Sequence, residues 1–149
     1  MKSLKTLAAG GFLFVLTASF VLTGDTSSIE GKVYKVSISE AKKGKSGPNS
    51  DDDVSFKSGK FKCKFFGKNA GADAIAIELT TDSTYSDDSG EDMLYVEFEG
   101  EMTNKLEENV KVTGTIDGYG IEGNVELSKK GKVKHHWDYV GSLKEKKKH

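Results

Sequence analysis

The sequence predicts an all-β protein, a single antiparallel up-and-down barrel of about eight strands, with a two-sheet β-sandwich as the alternative. Three observations carry that expectation. Apolar and polar residues alternate with a period of two through most of the chain beyond residue 30, the pattern of strands buried on one face. Turn-forming pairs such as Ser58-Gly59 and Lys130-Gly131 punctuate the alternating runs. No segment keeps a 3.6-residue period over three turns, and the best candidate, residues 102–109, has room only for a helical turn. Short sequential links favour the meander over Greek-key crossings. Closing eight strands on themselves also removes exposed edges.

The elements follow in order. In residues 31–39, Tyr34, Val36 and Ile38 share one face while Lys35 and Ser37 take the other. Residues 41–53 are rich in Lys, Gly, Ser and Asp, hold the only proline, and predict a long loop. Residues 54–57 and 60–66 form a hairpin about Ser58-Gly59, with Phe61, Cys63 and Phe65 inward and three lysines outward. After a turn at residues 67–73, Ile75, Ile77 and Leu79 line a fourth strand, followed by a polar loop over 81–92. Leu94, Val96 and Phe98 oppose Tyr95, Glu97 and Glu99 on the fifth, and Val110, Val112 and Ile116 mark the sixth. Residues 117–120 turn into Ile121, Val125 and Leu127. Lys130-Gly131 then turns into residues 133–144, where Val133, His135, Trp137 and Tyr139 share a face.

Composition narrows the function. The chain has 149 residues, 22 basic groups that are all lysine, 23 acids and one cysteine. One cysteine excludes an internal disulfide framework and a cysteine-built zinc site. With no arginine, the planar fork that grips guanine edges and phosphates is missing, so no nucleic-acid partner is expected. The charge is patterned: residues 30–69 hold 10 Lys against 5 acids, residues 70–126 hold 2 against 15, and residues 127–149 hold 8 against 2. Opposite signs on the middle and the two ends suit a fold whose first and last strands are neighbours.

The N-terminus carries an address. Lys2 and Lys5 precede an apolar run over residues 7–22, and small polar residues follow. That is the form of a secretory signal peptide, and the run is short for a membrane span, which needs roughly 20 residues. Residues 1–24 are therefore read as signal peptide and 25–149 as the barrel domain with a charged tail. Export to the periplasm or exterior follows, as a monomer with no stable membrane insertion after cleavage.

The chain resembles the small secreted lipocalin-like proteins of bacteria, within the calycin group of ligand-holding barrels. The resemblance spans roughly residues 29–144. It rests on the signal peptide, the opening Gly31-Lys32-Val33-Tyr34, the hairpin Phe56-Lys57-Ser58-Gly59-Lys60-Phe61 and the closing Trp137-Asp138-Tyr139-Val140-Gly141-Ser142-Leu143. Val33 stands where those proteins carry an end-plugging Trp. The resemblance implies a small apolar molecule bound within the barrel.

The candidate ligand-binding residues are Tyr34, Phe61, Phe65, His135, Trp137 and Tyr139, an aromatic lining with two directed polar groups. An amphipathic ligand with one polar end suits it. His135 and His136 are adjacent on a strand and face opposite ways, so they cannot clasp one metal ion. Cys63, between Phe61 and Phe65, reads as core packing. The acidic stretch 81–92 lacks the helix-loop-helix calcium spacing and reads as a solvated loop, as does the Asp51–Asp53 triplet. No phosphate cradle, nucleophile elbow or zinc-protease stretch occurs, and the inner faces are read as free of acids, so no catalysis, cofactor or metal is expected. Two functions remain: a secreted binding protein with its ligand inside the barrel, or a non-enzymatic interaction barrel filled by its own side chains.

Overall fold

The computed structural model describes residues 26–42, 45–47 and 49–144. The expected signal peptide at 1–24 and the charged tail at 145–149 lie outside the described residues. The strands are β1 (Val33–Lys42), β2 (Lys45–Ser46), β3 (Ser50–Lys57), β4 (Lys60–Cys63), β5 (Ala74–Ser86), β6 (Asp92–Thr103), β7 (Asn109–Asp117), β8 (Gly120–Lys129) and β9 (Lys132–Leu143). One helix, α1 (Lys64–Ala70), sits between β4 and β5. All pairings are antiparallel and follow chain order. β9 returns to pair with β1, from Tyr34 opposite Leu143 to Glu40 opposite Trp137. β1 and β3–β9 therefore close an eight-stranded barrel, and two-residue β2 only extends the far end of β1.

Local chemistry explains the joints. Ser58 and Gly59 take φ of 56° and 73°, and Lys130 and Gly131 take 52° and 79°. Two successive positive φ values give the tight hairpin turn whose twist matches its flanking strands. Bulges at Leu79/Thr81 and Leu127/Ser128 break the register and bend the sheet.

The interior is filled. Phe56 packs edge-on against Tyr34, Phe61 and Phe98 at centroid distances of 6.0, 5.9 and 5.2 Å. Phe61 also meets Tyr139 at 5.7 Å. Both ends are stoppered. At the end where β1 begins, the turn over residues 26–31 brings in fully buried Ile29, held by Gly31 N–H donating to the Phe56 carbonyl at 2.8 Å. At the other end α1 inserts Phe66, fully buried, against Trp137 at 5.7 Å and Phe61 at 6.1 Å.

Several expectations need correction. Residues 64–66 are helical, not the end of a strand. The reason is non-local: Asp52 on β3 accepts the Phe65 backbone N–H at 2.7 Å, capping a helix whose own N-cap residue, Cys63, makes no side-chain cap. The loop over 81–92 shrinks to residues 87–91, because β5 runs to Ser86 and β6 begins at Asp92. There Asp87 Oδ1 closes the turn by accepting from Ser89 N–H, Ser89 Oγ and Glu91 N–H. The Asp51–Asp53 triplet is strand as well, paired with Ser37, Val36 and Lys35.

Candidate mouth cleft

The α1 end of the barrel opens into a cleft of about 400 Å³, lined by Ile38, Glu40, Gly47, Ser50, Phe65, Asn69, His135 and Trp137. β1 brings Ile38 and Glu40 onto the inward face, two residues apart. β9 does the same for His135 and Trp137, and the β1–β9 register sets Glu40 opposite Trp137. α1 supplies Phe65 and Asn69 as the third wall, and the Asn69 side chain donates to the Phe65 carbonyl at 2.8 Å. Buried Ile38 and Trp137 and half-buried Phe65 form apolar sides, with Phe65 edge-on to Trp137 at 6.1 Å.

The polar end is a single pair. His135 Nδ1 lies 2.5 Å from Glu40 Oε2, and since a carboxylate only accepts, Nδ1 carries the proton. The same imidazole stacks on the Trp137 indole at 5.2 Å with 14° between planes. The His135 side chain is 42% exposed and that of Glu40 23%, so both can reach an incoming molecule.

The six residues nominated from the sequence divide. Phe65, His135 and Trp137 meet in the cleft. Tyr34, Phe61 and Tyr139 lie deeper, packed into the ring stack. Burial raises the Tyr34 phenol to about 12. Tyr139 is raised well above its ordinary value by burial, and its hydroxyl donates to the Thr113 carbonyl at 2.8 Å. Phe65 is present for a different reason than foreseen: helical winding turns it to the mouth and sends Phe66 inside. Glu40 went unpredicted, although continuing the alternation Tyr34, Val36, Ile38 by one step reaches it. The inner faces do carry acids at this rim, Glu40 on β1 and Asp52 on β3.

Two neighbouring groups are structural. Buried Cys63 donates to Asp52 Oδ2 at 3.3 Å, and burial, with the adjacent carboxylate, pushes its thiol up to about 12. His136 faces outward, 3.0 Å from both Glu126 and Asp138. Partial burial alone would lower its pKa, but the two carboxylate hydrogen bonds outweigh that and raise it. A broader groove of about 630 Å³ runs over the outer face above Gly114 and Gly123, flanked by Glu97, Glu99, Glu122 and Asp138. Its rim is acidic and open, without the facing apolar walls of the mouth cleft.

Among the described residues no helix is long and apolar enough to cross a membrane, and no group of three or more His, Cys, Asp or Glu is placed to hold a metal ion. Comparison with models of known families, with curated proteins and with solved structures finds no match to any of them.

Proposed function

We propose that the chain is an exported, non-enzymatic binding protein of lipocalin-like architecture whose small amphipathic ligand sits in the mouth cleft. The observation that carries this is the meeting of Trp137, Phe65 and Ile38 with the polar His135–Glu40 pair in one cleft of about 400 Å³. That size is within the range of small-molecule sites, which are mostly apolar with a few placed polar groups. The apolar body of a ligand packs between the indole and Phe65, and its polar end bonds to His135 or Glu40. Export rests on the basic start and apolar run of residues 1–24. Titrating fatty acids, retinoid-like and haem-like compounds into the purified domain, with the emission of its one tryptophan as readout, tests the reading. A saturable change at micromolar ligand is expected for at least one class. Flat titrations throughout refute it.

A second reading has its own support. Both barrel ends are stoppered and the rings of Tyr34, Phe56, Phe61 and Phe98 fill the centre. A small eight-stranded barrel filled this way can serve as a scaffold for recognition on its outside. Flat titrations favour it.

A further inference from the structure

We infer that the α1 end of the barrel is a docking surface for an anionic phospholipid membrane. Three chain segments meet there. The C-terminus of α1 is tied to the β6–β7 turn by Asn104, whose side chain donates to the Ala70 carbonyl at 2.9 Å. That turn is tied to the start of β9 by Lys134, 3.6 Å from Glu108. Lys64 and Lys68 on α1, Lys105 on the turn, and Lys130, Lys132 and Lys134 around the β8–β9 turn are all exposed. Residues 64–73, 104–108 and 129–134 carry three acids in return, and one of these, Glu108, is buried and already bonded to Asn104 and Lys134.

The second observation is apolar. Leu106 is 68% exposed and Val133 56% exposed, each beside a lysine on both or one side: Lys105-Leu106 and Lys132-Val133-Lys134. Leu106 lies in the β6–β7 turn and Val133 in the first residues of β9, and neither side chain is covered by the barrel's own core. A membrane surface accepts both features together, lysines at the headgroups and small apolar groups in the boundary beneath them. The opposite end is mixed in charge: Asp87, Asp88 and Glu91 in the β5–β6 loop, with Asp92 and Asp117 beside it, are set against exposed Lys57, Lys60 and Lys144, so it attracts an anionic surface less. Docked this way, the molecule turns the cleft of Phe65, His135 and Trp137 towards the lipid. The docking stands whether or not the cleft holds a ligand.

Co-sedimentation of the domain without its leader (residues 25–149) with vesicles tests the inference, using phosphatidylcholine alone and phosphatidylcholine mixed with phosphatidylglycerol. The described residues close around their own core, so this piece folds without the leader. Binding to the anionic vesicles only, weakening as salt rises, is expected. Replacing Lys68, Lys105 and Lys132 together by Glu weakens it by about tenfold or more. The pair Leu106→Ser and Val133→Ser weakens it severalfold and leaves the salt dependence. Truncation after Lys144 removes the lysine-rich tail and leaves most of the binding. Equal binding to both vesicle types, no binding to either, or binding that disappears with the tail yet survives the lysine replacements overturns the proposal. All replaced side chains are exposed, and unchanged near-ultraviolet circular dichroism confirms that the variants fold.

Discussion

Gly114 on β7 stands directly opposite Gly123 on β8, and the Tyr139 hydroxyl occupies the space that their missing side chains leave. A Cβ on Gly114 would overlap Phe98 and that hydroxyl. On Gly123 it would overlap the Thr113 carbonyl, which accepts the Tyr139 hydrogen bond. Tyr139 stands opposite Gly123 on the neighbouring strand, so its ring lies over β8 and its hydroxyl reaches β7, with the two glycines leaving the room for it. Gly114→Ala and Gly123→Ala are each expected to lower stability by about 1–3 kcal/mol, the usual cost of overpacking. Denaturant unfolding checks this, and losses below about 0.5 kcal/mol, the range of neutral surface changes, would mean that the interior has room to spare.

Asp52 holds the helix that walls the cleft. Burial alone would raise its pKa. Hydrogen bonds from the backbone of Asp53 and Phe65 and from the Cys63 thiol, with Lys64 nearby, outweigh burial and hold it below its ordinary value of 3.8. The contribution of such a group is fully present above its unfolded pKa and is lost as pH falls through the lower folded value. Asp52→Ala is expected to cost about 1–2 kcal/mol at neutral pH, the scale of a lost helix cap or charged hydrogen bond. The gap between variant and parent should close as pH drops below 4. A gap that persists unchanged to acid pH would contradict this role.

Cys63 shares that carboxylate and is expected to be inert. With its thiol raised to about 12 and its side chain buried, alkylation by iodoacetamide at pH 8 should proceed only as fast as the domain opens, and guanidinium should accelerate it by orders of magnitude. Labelling of the native protein at the rate of a free thiol would contradict the burial and the Asp52 contact.

His136 gives the opposite pH sign. Its pKa is raised by Glu126 and Asp138 in spite of partial burial. Its stabilising contribution is complete below its unfolded value near 6.5 and fades as pH rises through the folded value. Proton NMR should find His136 titrating above 6.5, and His136→Gln should flatten the decline in stability across that interval. A titration at or below 6.5 would show that the carboxylates do not outweigh burial.

The barrel itself was legible because one-sided burial writes itself as alternation, and Tyr34-Val36-Ile38 and Ile121-Val125-Leu127 are the plain cases. The far half of β5 was not, since residues 82–86 are exposed on both faces and a strand with two wet faces leaves no period. α1 was hidden for another reason. Phe61, Cys63 and Phe65 continue a strand pattern without a break, while the cap that turns the chain into a helix is Asp52, more than ten residues upstream. Three of the eight residues lining the cleft, Phe65, His135 and Trp137, followed from the ring-bearing pattern. Glu40 was missed because the strand was ended one residue early, and Asn69 because only a helix brings it to the mouth.

The mouth cleft as ligand site is tested most directly by where a bound molecule touches the protein. Amide and indole NMR spectra of the labelled domain, recorded while titrating the best ligand from the fluorescence series, give that location residue by residue. Shifts are expected to cluster on Glu40, Phe65, Asn69, His135 and Trp137, with Tyr34, Phe56 and Phe98 nearly still. Shifts centred on those interior residues would place the ligand inside the barrel. Shifts confined to the outer face around Glu97 and Glu122 would contradict the mouth cleft outright.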